Sequence, residues 1–286
     1  MLMFIGLPII SSFFQSLHIE PEQILMEVEK CDPFGCKTET KVDIEATNKL
    51  QEEQPLGRFN GLGTYGDRNH LAFDEIKEAW TNSSSLAEFT DILLNLPFYK
   101  ALLFTLTFCF AVTPPVVVLG FIVALSVNTI TKSLKGPTIF GVILPMIVTP
   151  LIGSLVLFWM IDAKGILGSF IQFLFDDPNL SLKSSSQLTW ITLIIYGIWH
   201  NTPFAFVVFY AALQTVPQDP IEAAIIDGAS RYERVRHIVI PHLYPVATFI
   251  ILICLMDNFR VLEPIIGFAA EGVAQSLSWM IYNDLR

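Results

Sequence analysis

The chain has 286 residues, of which 52% are apolar and 15% are charged, and its mean hydropathy is +0.55. This composition is typical of a protein embedded in a membrane and excludes an ordinary soluble domain. The 17 basic and 27 acidic side chains give a formal net charge of -10. That balance argues against a nucleic-acid binder, which needs a basic face to meet phosphate.

The charged residues are concentrated in one part of the chain. Residues 18–97 hold 16 acids and 7 bases, and the other 206 positions hold the remaining 11 acids and 10 bases. The sequence therefore predicts one polar, acidic insert within an apolar body.

Apolar stretches that approach the length of a membrane span recur along the chain. A hydrocarbon core of about 30 Å is crossed by about 20 helical residues. Five stretches qualify, at residues 1–17, 98–128, 137–162, 188–212 and 244–270. We therefore predict an all-α, polytopic transmembrane helical bundle with five spans. Pro145 and Pro150 predict a bend in the third span.

The orientation of the bundle is predicted from the basic residues of its short loops. Lys132 and Lys135 lie between the second and third spans, and Arg231, Arg234 and Arg236 lie between the fourth and fifth. Because short cytoplasmic loops carry an excess of Lys and Arg, both loops are expected in the cytoplasm. The acidic insert is then outside, and Gly165–Phe175, also external, is predicted to form a short interfacial helix.

Two of the four cysteines lie in the insert, in the run Cys-Asp-Pro-Phe-Gly-Cys. Outside the cytoplasm Cys31 and Cys36 meet oxidising conditions, and a turn between them would bring the sulfurs together. A disulfide is the favoured prediction and two free thiols are the alternative. Cys109 and Cys254 fall inside apolar spans, where small hydrophobic residues are expected. No metal site is predicted.

A helix with clear end signals is predicted in the second cytoplasmic loop. Asp219 is the expected N-cap, with Pro220 at the first helical position and Glu222 completing a capping box. Gly228 is expected to end this helix as its C′ residue. The helix has a shape suited to docking, and the alternative is an amphipathic helix that lies at the membrane interface.

A second short helix is predicted to follow the glycine. Ser230 and Glu233 repeat the capping-box spacing, and Pro241 is expected to stop the helix. The loop is therefore expected to contain two short helices joined at Gly228.

The loop also carries a specific resemblance. Glu222-Ala223-Ala224, followed after three residues by Gly228 and later by Ile240-Pro241, resembles the EAA-loop signature of permease subunits in binding-protein-dependent ABC importers. The wider run over residues 210–230 resembles the carbohydrate branch, which includes the maltose-type and glycerol-phosphate-type permeases. The resemblance covers about residues 98–270, and the loop is its most specific part.

The resemblance implies that the first helix of the loop docks in a cleft of a cytoplasmic ATPase subunit. Glu222 would pair with a basic group of the ATPase, and the small side chains after it would permit close approach. The implied ATPase-coupling residues are Glu222, Ala223, Ala224, Asp227, Gly228 and Pro241. The chain has no Gly-x-x-x-x-Gly-Lys-Ser/Thr loop, so the ATPase is another polypeptide and no cofactor is expected here.

The resemblance also implies partners and a location. The partners are a second permease subunit, cytoplasmic ATP-binding subunits, a periplasmic or extracellular solute-binding protein, a sugar and the lipid bilayer. The location is the bacterial inner membrane. The implied divisions are a first helix at 1–17, the insert at 18–97, a permease core at 98–270 with its coupling loop at about 213–243, and an external segment at 271–286. Members of the family continue into a further helix, so a truncated chain is expected.

Polar residues inside two spans are candidates for the substrate path, because ionisable groups in a membrane face a cavity or a partner. In the fifth span, Asp257 can pair with Arg260, and Arg260 can pair with Glu263, at i, i+3 spacing. The alternative is that Asn258 hydrogen-bonds sugar hydroxyls while Phe259 stacks on the sugar ring.

Trp199 and Asn201 form a second polar patch in the fourth span. With Asn258 and Phe259 they favour a neutral or weakly charged carbohydrate. No catalytic residues are predicted, because the His residues are scattered and no Gly-x-Ser-x-Gly elbow is present. The alternative transport class is an ion- or proton-coupled secondary transporter that uses intramembrane carboxylates.

Overall fold

The computed structural model of the protein describes residues 2–19, 24–32, 35–53, 57–67, 70–83, 85–177, 181–183 and 185–284. The chain forms two compact units, residues 1–99 and residues 100–286. The predicted division into a first helix, insert, core and external segment stays a prediction.

The first unit combines short helices with two small sheets. In chain order its elements are α1 (Leu2–Ser16), β1 (His18–Ile19), β2 (Leu25–Asp32), β3 (Gly35–Val42), α2 (Ile44–Glu53), β4 (Arg58–Phe59), α3 (Gly63–Gly66), α4 (Phe73–Asn82) and α5 (Leu86–Asn95). Strand β1 pairs with β4 and β2 pairs with β3, both antiparallel. The described strands thus lie within the predicted insert, and the predicted spans are helical.

The hairpin of β2 and β3 bears on the predicted disulfide. Its backbone register places Cys31 directly opposite Cys36. Opposed residues of an antiparallel pair have Cβ atoms about 4.5–5.5 Å apart, close to the separation that a disulfide needs. The side chains of both cysteines and the predicted turn at residues 33–34 lie outside the described part of the chain. The disulfide therefore stays a prediction.

The second unit is helical. Its elements, the first of which begins at the end of the first unit, are α6 (Pro97–Thr129), α7 (Lys132–Ile147), α8 (Pro150–Met160), α9 (Ile166–Phe175), α10 (Ser186–Leu213), α11 (Gln218–Ile226), α12 (Arg231–Arg234), a π-helical turn (Val235–Val239), α13 (Ile240–Phe259), α14 (Glu263–Gly267) and α15 (Leu277–Asp284). Among the described residues, three helices are long and apolar enough to cross a membrane, namely α6, α10 and the helix Arg231–Phe259. The predicted all-α membrane bundle is confirmed, and its fivefold span count stays a prediction.

The third predicted span is a bent pair of helices. Helices α7 and α8 meet at 95° across a two-residue break. Val148 and Thr149 have extended backbone angles, and Pro150 begins α8. The residue before a proline is driven out of the helical region, so the break precedes Pro150. The predicted bend is confirmed. The two helices together are long and apolar enough for one span, so the predicted span over 137–162 stays a prediction.

The fifth span ends earlier than its apolar residues predicted. Helix α13 stops at Phe259, because the N–H groups of Arg260 and Val261 turn back to the carbonyls of Asp257 and Asn258 at 3.2 Å. Pro264 then supports the start of α14. The predicted end at residue 270 is therefore wrong, since hydropathy does not distinguish a buried turn from a continuing helix.

Small residues bring α6 and α10 together. A Cβ atom added at Gly120 would lie 2.5 Å from the Ala205 Cβ atom, and one added at Gly197 would lie 2.8 Å from the Phe108 ring. Helices in membranes pack through such small residues because their backbones can then approach closely. This packing forms the core that positions the polar side chains of α10.

An ion pair joins the end of α8 to the segment before α10. Lys183 Nζ lies 3.1 Å from Asp162 Oδ2 and 3.4 Å from the centre of the Phe158 ring. The hydrogen bond from Lys183 lowers the pKa of the Asp162 carboxyl below its usual 3.8, with further help from the Lys164 backbone N–H. Helix α9, which lies between these two partners in sequence, confirms the predicted short helix.

Candidate functional site

Helix α11, in the loop between α10 and α13, ends in a Schellman motif. The Ala229 N–H donates to the Ala224 carbonyl at 2.9 Å, and the Gly228 N–H donates to the Ile225 carbonyl at 3.0 Å. Gly228 has a φ of +80°, a conformation that favours glycine. The predicted helix-ending role of Gly228 is confirmed.

The start of α11 differs from the prediction. Pro217 is the N-cap residue, in an extended conformation, and no side chain caps the helix. Asp219 is the second helical residue, so the predicted capping roles of Asp219 and Glu222 are wrong. The fixed φ of Pro217 separates α11 from the preceding helix, and α11 begins directly after it. Pro220 sits in the first turn, where its missing N–H costs nothing.

A capping box begins the next helix, as predicted. The Ser230 side chain accepts from the Glu233 N–H at 3.3 Å, and the Glu233 carboxylate accepts from the Ser230 N–H at 2.7 Å. These two bonds satisfy donors that a helix start leaves free. The direction of the chain after Gly228 is therefore set locally.

The second helix does not end at Pro241, and that prediction is wrong. It passes through the π-helical turn Val235–Val239 directly into α13. Within this turn the Ile240 N–H donates to the Val235 carbonyl, five residues back. The wider turn lets the helix pass a proline that has no N–H to donate. The loop is thus continuous with a membrane-crossing helix.

Helix α11 presents its side chains to solvent. None of its residues is buried, and Ile225 and Ile226 are 53% and 86% exposed. Glu222 and Ala223 are exposed, and Ala224 is half-buried; Asp227, at the C-cap, is also exposed. Within the described part of the chain, Glu222 has no hydrogen-bond or ion-pair partner. An apolar helix face with a free carboxylate beside it is suited to docking a partner.

Two side-chain hydrogen bonds tie the start of the loop to neighbouring helices. The Thr215 hydroxyl lies 3.3 Å from His242 Nε2 near the start of α13. Gln214 Nε2 donates to the Asn128 side chain at the end of α6, also at 3.3 Å. The segment just before α11 is therefore bonded to both α6 and α13.

A polar cavity of about 470 Å³ lies where α10 meets the end of α13. It contains both asparagines that the sequence predicted for the substrate path. Its polar lining consists of Tyr196, His200, Asn201, Asp257, Asn258, Arg260, Glu263 and Ser278.

A chain of hydrogen bonds crosses three helices beside this cavity. Asn201 Nδ2 donates to Asn258 Oδ1 at 3.1 Å, and Asn258 Nδ2 donates to the Thr113 hydroxyl of α6 at 3.2 Å. Asn258 is only 3% exposed. Buried polar groups are costly unless paired, so the chain fixes the relative positions of α6, α10 and α13. Thr113 is not evident from the sequence, because a lone hydroxyl in an apolar run gives no pattern.

The other two predicted substrate-path residues lie elsewhere. Trp199 lines a separate, mostly apolar cavity between α6, α7 and α10. Phe259 is 44% exposed and is absent from the described lining of the polar cavity. The structure therefore brings together Asn201 and Asn258 and leaves both aromatic residues apart from them.

The charged groups of the cavity include one close pair. Arg260 Nη2 lies 3.3 Å from Asp257 Oδ1, and both side chains are at least half exposed. The predicted i, i+3 pair is confirmed, and such an exposed pair contributes little stability. Glu263 lines the same cavity from the start of α14, and no Arg260–Glu263 ion pair occurs among the described contacts.

Two further polar side chains hold the break between α7 and α8 against α10. The Tyr196 hydroxyl donates to the Pro150 carbonyl at 2.8 Å, and His200 Nε2 lies 3.2 Å from the Val148 carbonyl. They satisfy carbonyls that the break leaves without helical partners. Among the described residues, no group of three or more His, Cys, Asp or Glu side chains is placed to hold a metal ion.

Comparison with known proteins gives a match over most of the second unit. Residues 86–262 match the model of a family described as "binding-protein-dependent transport system inner membrane component". The matched range contains α11, Gly228, Asn201 and Asn258.

Individual relatives and a solved structure agree with this match. The trehalose/maltose transport system permease protein MalF of Thermococcus litoralis is 28% identical over 211 residues, which are 69% of this chain and 68% of that protein. The sn-glycerol-3-phosphate transport system permease protein UgpA of Escherichia coli O157:H7 is 29% identical over 146 residues, which are 50% of this chain and 49% of that protein. A chain of the bacterial alginate ABC transporter in complex with alginate pentasaccharide-bound periplasmic protein shares the fold, with a TM-score of 0.54, 18% identity, and coverage of 73% of this chain and 71% of that chain.

Proposed function

The chain belongs to the family of binding-protein-dependent transport system inner membrane components, and on that premise we propose that it is the permease subunit of an ATP-driven carbohydrate importer. It is a multi-pass membrane component of a transport system and not an enzyme. The names of its relatives specify trehalose/maltose or sn-glycerol-3-phosphate transport. These names support a carbohydrate as the substrate of this chain. An ion- or proton-coupled secondary transporter is not favoured, because this family works with a binding protein.

The observation that carries the proposal is the exposed helix α11. None of its side chains is buried by the described residues, yet a Schellman motif fixes its C-terminal end, and two side-chain hydrogen bonds hold Gln214 and Thr215 just before it. A helix that is fixed in position but left uncovered is suited to a rigid-body contact with another protein. The proposed occupant is a cytoplasmic ATP-binding subunit, with Glu222 paired to a basic group and Ala223 and Ala224 at the closest approach.

Coupling follows from the continuity of this loop with the membrane helices. Asp227 and Gly228 set the turn after α11, and the π-helical turn carries the chain past Pro241 into α13 without a break. Movement imposed on α11 by closure of the ATP-binding subunits would therefore displace α13. Because Asn258 lies near the far end of α13, that displacement would change the polar cavity.

The proposed substrate path runs beside Asn201 and Asn258. Asn201 has a side-chain oxygen and a second amide N–H outside its bond to Asn258, which suit sugar hydroxyls, and Asp257 partly neutralises Arg260. These features favour a neutral or weakly charged sugar. Trp199 and Phe259 would contribute to the path only after the helices rearrange, because neither lines this cavity in the present conformation.

The remaining partners and the location are part of the same proposal. They are a second permease subunit, a periplasmic or extracellular solute-binding protein, and the bacterial inner membrane. The family description, which names binding-protein dependence and the inner membrane, supports them.

The Glu222→Ala variant tests the docking assignment. Glu222 caps no helix and has no partner among the described residues, so its removal leaves α11 intact. Loss of a charge-assisted hydrogen bond, worth about 1.5–3 kcal/mol, should weaken co-purification with the ATP-binding subunit by at least about tenfold. Asp219→Ala removes the same charge from the same helix and is the matched control. Equal co-purification of both variants would contradict the proposal.

The substrate path is tested separately, by sugar uptake in vesicles that contain all partner subunits. Asn201→Leu removes an amide that lines the cavity, whereas Thr113→Val removes only the partner of Asn258 outside it. We expect Asn201→Leu to abolish uptake and leave basal ATP hydrolysis unchanged. Thr113→Val should reduce uptake less. Unchanged uptake in Asn201→Leu would remove the path assignment and leave the docking assignment standing.

A further inference from the structure

A third cavity, lined by neither asparagine and by no residue of α11, has chemistry that the importer function does not use. It encloses about 680 Å³ between α6, α10 and the segment before α15. Its lining includes Lys100, Ser186, Gln187, Trp190, Ile191 and Ile194.

One end of this cavity is polar and positively charged. Ser186 and Gln187 are the first two residues of α10, and Lys100 lies in the first turn of α6. All three side chains are exposed and lack a hydrogen-bond or ion-pair partner among the described residues. Lys100 is also the one ionisable side chain in the described lining. This end therefore offers one cation and two neutral hydrogen-bonding groups.

The other end of the cavity is apolar and rigid. The Trp190 indole donates to the Val273 carbonyl at 2.9 Å. Its ring packs edge-on against the Phe104 ring, with the ring centroids 4.8 Å apart. Ile191, which is 52% exposed, and Ile194 continue the wall along α10. At a rise of 1.5 Å per residue, Ile194 lies roughly 12 Å beyond Ser186 along the helix axis.

We propose that this cavity binds an anionic phospholipid of the surrounding bilayer. The lipid phosphate pairs with Lys100 and meets the Ser186 and Gln187 side chains, and one acyl chain lies along Trp190 and Ile191. Charge complementarity at one end and an apolar wall at the other, about 6 Å long from Trp190 to Ile194, match the two parts of such a molecule. Lys100 and Trp190 also lie near the starts of α6 and α10, where such residues are expected at the bilayer interface. The proposal rests on membrane insertion and does not depend on the substrate.

The test is the composition of lipid retained by the purified 286-residue chain. The protein is placed in nanodiscs of equal phosphatidylglycerol and phosphatidylcholine, re-extracted in neutral detergent, and its bound lipid is measured by mass spectrometry. A single lysine–phosphate contact predicts an enrichment of phosphatidylglycerol of about fivefold. Lys100→Gln should abolish the enrichment, Lys100→Arg should keep it, and Lys77→Gln, an exposed lysine of the other unit, should leave it unchanged.

A second variant tests the acyl-chain part of the site. Gly272 lines the cavity, and a Cβ atom added there meets no atom within 4 Å, so Gly272→Phe can fill the space without backbone strain. It should lower the total lipid bound, and millimolar inorganic phosphate should not displace phosphatidylglycerol from the wild-type protein. The proposal is overturned by equal enrichment in Lys100→Gln and wild type, by displacement with phosphate alone, or by full lipid retention in Gly272→Phe.

Discussion

Replacement of Gly228 by valine should separate membrane insertion from ATP-driven uptake. The residue has a φ of +80°, and a Cβ atom added there would meet no atom within 4 Å. Steric crowding therefore contributes nothing, and the whole penalty is the backbone cost of a left-handed conformation. For a residue other than glycine that cost is about 1–2 kcal/mol.

This penalty is small for the fold and large for the loop. A domain is stable by about 5–15 kcal/mol, so Gly228→Val should still insert and fold. The Schellman-capped conformation of the loop, however, should become about five- to thirtyfold less populated relative to its alternatives. We expect uptake in reconstituted vesicles to fall by a similar factor, with reduced co-purification of the ATP-binding subunit.

Gly228→Asn is the matched control, because asparagine adopts the left-handed conformation more readily than other residues. It should keep most of the uptake and most of the association. Equal uptake by the valine and asparagine variants would refute the argument from backbone conformation, whatever the absolute rates.

Three further predictions concern orientation, packing and pH. In a background without native cysteines, Asn82→Cys should react with a membrane-impermeant thiol reagent in intact cells and Tyr232→Cys should not. The reverse labelling pattern would show that the predicted orientation is wrong. Gly120→Val should lower the thermal unfolding midpoint by an amount equivalent to about 1–3 kcal/mol, because its Cβ atom would lie 2.5 Å from α10; an unchanged midpoint would contradict the close approach of the helices. Because the pKa of Asp162 is lowered in the folded chain by its bond to Lys183, its stabilising effect is present above pH 3.8 and is lost as the pH falls through the lowered pKa. The difference in thermal midpoint between wild type and Asp162→Asn should accordingly be constant near neutral pH and disappear in strong acid. A difference that persists in strong acid would contradict the stabilising role of the Asp162–Lys183 bond.

The wrong predictions at Asp219 and Pro241 share one cause, because each takes a proline as a signal by itself, without its neighbouring turns. Pro217 displaced the expected cap at Asp219, because the chain had already turned at the end of α10. Pro241 was expected to stop a helix, yet a π-helical turn accommodates it. Both outcomes depend on how neighbouring turns share their hydrogen bonds, and a spacing rule does not contain that information.

The sequence by itself determined the class of protein, its helical spans in outline and the loop at Gly228, because these depend on composition and on local backbone preferences. Hydropathy over about 20 residues reports membrane burial, and a glycine between capping signals reports a local turn. The tertiary structure alone decided that Asn201 and Asn258 meet each other and Thr113, while Trp199 faces another cavity. Those pairings join residues as far as 145 positions apart, and they follow from the packing of α13 against α6 and α10, which no local pattern in the chain encodes.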